Sequence, residues 1–196
     1  MSIAERLRDA QFLYANGRRD GALLSVLVAV AATSRRRYPK PLHSDRKAFT
    51  QFLAEEMVVV TLGGPKEYNV RVPGADTGKY PNEMMPLGEC FYEFVRCNLA
   101  HEAMLPDNVE FEPAKPGVLT LRITDKVIQL SDTFMDGLGR AVEYAPENID
   151  LFAHVAEMPD DVIAWNLFGK RRGEFSGYMA VRRKRANSSA ENGGQK

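Results

Sequence analysis

Cysteine is scarce in this chain: Cys90 and Cys97 are the only two in 196 residues. They lie seven apart in a stretch of helical periodicity, a rise of about 10.5 Å, which exceeds the roughly 7 Å between Cα atoms that a disulfide tolerates. Reduced thiols and a cytoplasmic location are therefore expected. Two cysteines alone build no zinc site, and no carboxylate spacing resembles a metal cage, so neither a metal nor a cofactor is expected. Net charge is also lacking, with 26 bases against 26 acids, so no global field draws nucleic acid or anionic lipid to the whole molecule. The longest apolar run, Ala22 to Ala32 with Ser25 inside it, falls short of the ~20 residues that span a bilayer. It reads as a buried helix, and no membrane partner is expected. The start, Met1-Ser2-Ile3-Ala4-Glu5-Arg6, has no basic region followed by an apolar stretch and cleavage site, so secretion is not expected. Glycine motifs are incomplete. Gly63-Gly64-Pro65-Lys66 lacks the full phosphate-loop pattern and Gly137-Leu138-Gly139 lacks the third glycine of a dinucleotide fingerprint.

What the chain does contain is the composition of one globular domain, 44% apolar and 27% charged. The division predicted is a body over residues 1–169 and a basic, unfolded tail over 170–196. The tail holds eight bases against Glu174 and Glu191, a surplus of six that leaves the body mildly acidic. Its run Arg182-Arg183-Lys184-Arg185 is a weak candidate for phosphate contact without sequence reading. A soluble terminus is the commoner role of such a run. In the body, Ser2 and Glu5 have capping-box spacing for a first helix, which is expected to continue through Arg18–Arg37 after an irregularity at Gly17. Ser44 is placed to cap a second helix through Met57. An insertion is expected over residues 58–86, with a short strand from Tyr68 to Val72. Helical periodicity returns from Leu87 to Leu105. Alternating segments over residues 108–130 predict a small antiparallel β-meander, and Ser131-Asp132 caps a further helix. Two shorter helices are expected over Ile149–Met158 and Asp160–Phe168. The fold class is thus α+β and mainly helical. His43 and His154 read as solvent-facing, without a role.

Chemistry concentrates on the Leu87–Leu105 segment. On a helical wheel Phe91, Phe94, Val95 and Leu105 define an apolar face, yet Asn98, His101 and Glu102 fall inside or beside it and Arg96 on its flank. Buried without partners, such groups cost ~1–3 kcal/mol each. One reading is a satisfied core network of Asn98, His101 and Glu102 within a non-catalytic, dimeric interaction module. The other is a polar pocket, in which an imidazole exchanges protons at neutral pH and a guanidinium fork holds phosphate.

Arg96-Cys97-Asn98-Leu99-Ala100-His101 resembles the arginine, four-to-six residues, histidine signature of the HEPN superfamily. The stretch from Ala15 to Leu24 also resembles that family's opening helix, a polar gap before a long apolar run. Cys97 stands where the family often has a polar residue, with Asn98 one step later. The resemblance covers about the first 105 residues outside the insertion. It implies a HEPN-like helical bundle that binds RNA, with metal-independent cleavage between two subunits of a homodimer. His101 would then exchange a proton with the ribose or leaving oxygen, Arg96 would stabilise the phosphate, and Asn98 and Glu102 would support them. Defence or toxin–antitoxin biology, with an antitoxin or other protein partner, is the setting the resemblance implies.

Overall fold

A computed structural model describes residues 2–61, 68–72, 79–112, 121–124 and 127–152. Ser2 starts helix α1 (Ile3–Ala15) with the reciprocal box its spacing predicts. Its hydroxyl accepts from the Glu5 N–H at 3.2 Å, and the Glu5 carboxylate accepts from the Ser2 N–H at 2.5 Å. Helix α1 does not continue into the next. The Gly17 N–H donates to the Tyr14 carbonyl and the Arg18 N–H to that of Leu13, both at 2.9 Å, and Gly17 has a φ of 72°. That bonding closes a helix with a left-handed residue, a conformation glycine adopts freely. The chain then reverses into α2 (Arg19–Arg37), which packs along α1.

The apolar run expected to form a buried helix is the centre of the molecule. Ala22, Leu23, Leu27, Ala29 and Val30 in α2 are fully buried, and α1, α3, α5 and α6 all pack on this helix. Helix α3 (Asp45–Val60) starts at Ser44, whose hydroxyl accepts from the Lys47 N–H at 3.2 Å. It runs past Met57 because Val58, Val59 and Val60 are all buried in the core. The segment expected to insert at residue 58 therefore begins as helix. Nor is it a surface addition. Its strand β1 (Asn69–Arg71) pairs antiparallel with β2 (Met84–Pro86), setting Val70 opposite Met85, and both side chains are wholly buried.

Strands β3 (Val109–Glu112), β4 (Leu121–Ile123) and β5 (Ile128–Ser131) lie where the alternation predicts. β4 and β5 are antiparallel, and just past their paired residues the Thr124 N–H donates to the Val127 carbonyl at 3.0 Å. β3 departs from a meander: it pairs with β5, in parallel, so the order is β3-β5-β4. A short hairpin loop would force β3 beside β4, whereas the connection over residues 113–120 is long enough to cross the roughly 10 Å of two strand spacings. Helix α6 (Asp132–Glu143) follows β5 directly, and a 3₁₀ turn at Pro146–Asn148 comes next. A Cβ on Gly137 would sit 2.1 Å from the Val60 carbonyl oxygen, so only glycine lets α6 touch the end of α3. Of the helix expected over Ile149–Met158, all beyond Phe152 lies outside the described residues, as do Asp160–Phe168, His154, Gly63–Lys66 and the basic tail. The described fold is mainly helical α+β.

Candidate functional site

The segment carrying Arg96 and His101 is one rod built in three pieces: α4 (Leu87–Cys90), a π-helical turn (Phe91–Arg96) and α5 (Cys97–His101). Backbone angles at both junctions are right-handed helical. A turn closed by i→i+5 bonds holds more residues than the 3.6 of an α-turn. Buried positions spaced by four therefore stay in line, and Phe91, Val95 and Leu99 form the buried stripe. The Cys97 thiol donates to the Tyr92 carbonyl at 3.2 Å, giving that carbonyl a partner within the wide turn. Cys90 is buried, which pushes its thiol up to about 12. Both cysteines are free.

The rod stops sooner than its periodicity predicts. His101 is its last residue, Glu102 caps it, and Ala103 has a φ of 55°. Leu105 therefore lies beyond the helix, and the apolar stripe ends at Leu99. This corrects the expected placement of the polar residues. His101 and Glu102 are exposed and Asn98 is half-buried, and among the described residues their side chains form no hydrogen-bonded network. Arg96 is half-buried, with its guanidinium carbon 5.3 Å from the centre of the Tyr92 ring, within the range of cation–π attraction. Five α-helical steps separate Arg96 from His101, about 7.5 Å along the axis and about 140° around it. One rod does not aim both groups at a single atom.

Two features escaped the sequence reading. Arg35, Arg36 and Arg37 form the last turn of α2, and each binds carboxylates. Arg35 donates to Asp45 at 2.5 Å through Nε, and Arg36 binds both oxygens of Asp150 at 2.8 and 2.9 Å. Arg37 meets Glu55, Glu56 and Glu147 at 3.0, 2.6 and 2.5 Å, with its own side chain 8% exposed, and lies 4.5 Å over the Phe52 ring. Burial alone would depress the Arg37 pKa, but Glu56 and Glu147 outweigh it and raise it. Burial also raises Glu56, against the pull of Arg37. This cluster fastens α2, α3 and the turn after α6 together, and its acceptors are too fully engaged to act on a ligand. The only hint in the sequence is the abundance of acids, Glu55-Glu56 and Glu147, available to three consecutive arginines. His43 is half-buried, not solvent-facing, with its ring 5.1 Å from that of Tyr38.

The second feature is a cavity of about 270 Å³ between α1, α2 and α6 that reaches Arg140. A second polar cluster, Arg46 with Glu89, Glu93 and the Tyr80 hydroxyl, ties α3 to the rod. Among the described residues no three His, Cys, Asp or Glu side chains come together as metal ligands. No described helix is long and apolar enough to cross a membrane.

The chain belongs to the Rv1289 family, whose profile matches residues 2–156. No curated protein and no solved structure matches it.

Proposed function

We propose that the chain is a HEPN-like RNA-binding protein of the cytoplasm, cleaving RNA without a metal at Arg96 and His101 of a homodimer, in defence or toxin–antitoxin biology. The observation that carries this reading is the exposure of His101, an imidazole free to meet substrate at the end of the rod. Arg96 supports it: the Tyr92 ring holds one face of the guanidinium and leaves its edge donors for phosphate oxygens. The 140° between the two groups is bridged by symmetry. In an isologous pair each rod faces its copy, so the Arg96 of one protomer and the His101 of the other converge on one groove.

In that groove one His101 takes the proton of a ribose 2′-hydroxyl as the oxygen bonds to phosphorus. The bond to the 5′ oxygen breaks, and the second His101 protonates that leaving oxygen. Arg96 holds the charge that gathers on the non-bridging oxygens. Arg182, Arg183, Lys184 and Arg185 add backbone contacts that carry no sequence information. Fluorescence anisotropy with a single-stranded RNA tests the binding. Arg96→Ala is expected to weaken it at least tenfold, and unchanged affinity contradicts the assignment.

A second reading has its own observation. Met104 is 63% exposed three residues beyond His101, an apolar contact suited to a non-catalytic module that docks an antitoxin or other protein there. Under that reading Met104→Asp breaks the complex, and the wild-type protein leaves RNA intact.

A further inference from the structure

We infer that the cavity between α1, α2 and α6 is a binding site for a small monocarboxylate with an apolar body. The floor is apolar, with Leu7, Val26 and Met135 from the three helices. Its volume of about 270 Å³ exceeds the roughly 150 Å³ that suffices for benzene. Arg140 supplies the polar end. Its Nε and Nη2 are both buried, and neither has a hydrogen-bond partner among the described residues. These two nitrogens are the side-on edge of the guanidinium, whose parallel N–H bonds match two coplanar oxygens. Elsewhere in the molecule that same edge is filled: Arg46 turns Nε and Nη2 to Glu89. At Arg140 no side chain among the described residues fills that edge, and a buried polar edge without a protein partner is uncommon in native proteins.

The surrounding charge selects among anions. Asp136 and Glu143 line the same cavity, four residues before and three after Arg140 on one face of α6. The Asp136 carboxylate beside the guanidinium repels a phosphate dianion more than a singly charged carboxylate. Gly139 keeps the mouth open. It lines the cavity, and a Cβ built on it meets nothing within 4 Å. The site uses none of the residues of the Arg96–His101 rod.

Isothermal titration of the full chain with benzoate, phenyl phosphate and benzyl alcohol tests the assignment. Benzoate is expected to bind saturably, phenyl phosphate about tenfold or more weaker, and benzyl alcohol not measurably. Arg140→Lys keeps the charge but loses the fork and should weaken benzoate about tenfold, a difference of ~1.4 kcal/mol. Gly139→Leu fills the cavity and should abolish binding without lowering the melting temperature, so it decides the matter even if the Arg140 variant is unstable. No saturable binding of benzoate, equal binding by wild type and Gly139→Leu, or preference for phenyl phosphate overturns the proposal.

Discussion

Arg37 and Glu147 are 110 residues apart in sequence and meet at 2.5 Å inside the molecule, with 8% and 5% of their side chains exposed. The contact locks the end of α2 to the turn that follows α6, and Glu56 from α3 completes it. Charges this deep hold a fold together only as a set, because each one leaves the others unpaired when it is removed.

Arg37→Met is therefore expected to destabilise the protein by about 3–5 kcal/mol, read from urea unfolding. Arg36→Ala breaks the exposed pair with Asp150 and should cost less than about 1 kcal/mol. Equal losses for the two would show that the buried set does not organise the fold.

The contact between α3 and α6 gives a second expectation. Gly137→Ala drives a methyl group into the Val60 carbonyl, which is backbone and has no room to turn aside. A loss of about 1–3 kcal/mol or more follows. Gly139→Ala meets open space and should stabilise the helix by ~0.5–1 kcal/mol. Thermal melts of the pair check the sign of each.

Hydrogen bonding from Arg35 holds the Asp45 carboxyl below its ordinary value. A depressed carboxylate adds stability above the unfolded-state pKa and loses it as the pH falls through the folded one. Asp45→Asn should thus be less stable than wild type at pH 7, with the gap closing as the pH drops below the ordinary aspartate range. A gap that persists in acid would assign the effect to packing. Melting temperatures measured across that range decide.

Local rules carried much of this fold. Ser2 with Glu5 and Ser44 mark the helix starts they form, and the Ala22–Ala32 run, apolar but for Ser25, is the helix the core is built on. Where the reading failed, the cause was non-local or a change of period. Gly17 ends α1 through a left-handed residue and closing bonds that helical periodicity does not express. The wide turn at Phe91–Arg96 shifts the wheel on which Asn98, His101 and Glu102 were set beside the core, and the early stop at Ala103 puts the latter two in solvent. Parallel pairing of β3 with β5 depends on how a connection crosses the sheet, which alternation alone leaves open. The cavity beside Arg140 is lined from α1, α2 and α6, and that convergence of three helices is a tertiary feature on which periodicity is silent.

Cleavage of a labelled single-stranded RNA in EDTA by wild type, Arg96→Ala and His101→Ala tests the proposed roles of Arg96 and His101 most directly. The expected result is cleavage by wild type and a loss of about 10²–10⁴ in rate for His101→Ala, with melting temperatures unchanged because the imidazole is exposed and supports no packing. Cleavage by both variants at the wild-type rate, or RNA left intact by the wild-type protein, would contradict it.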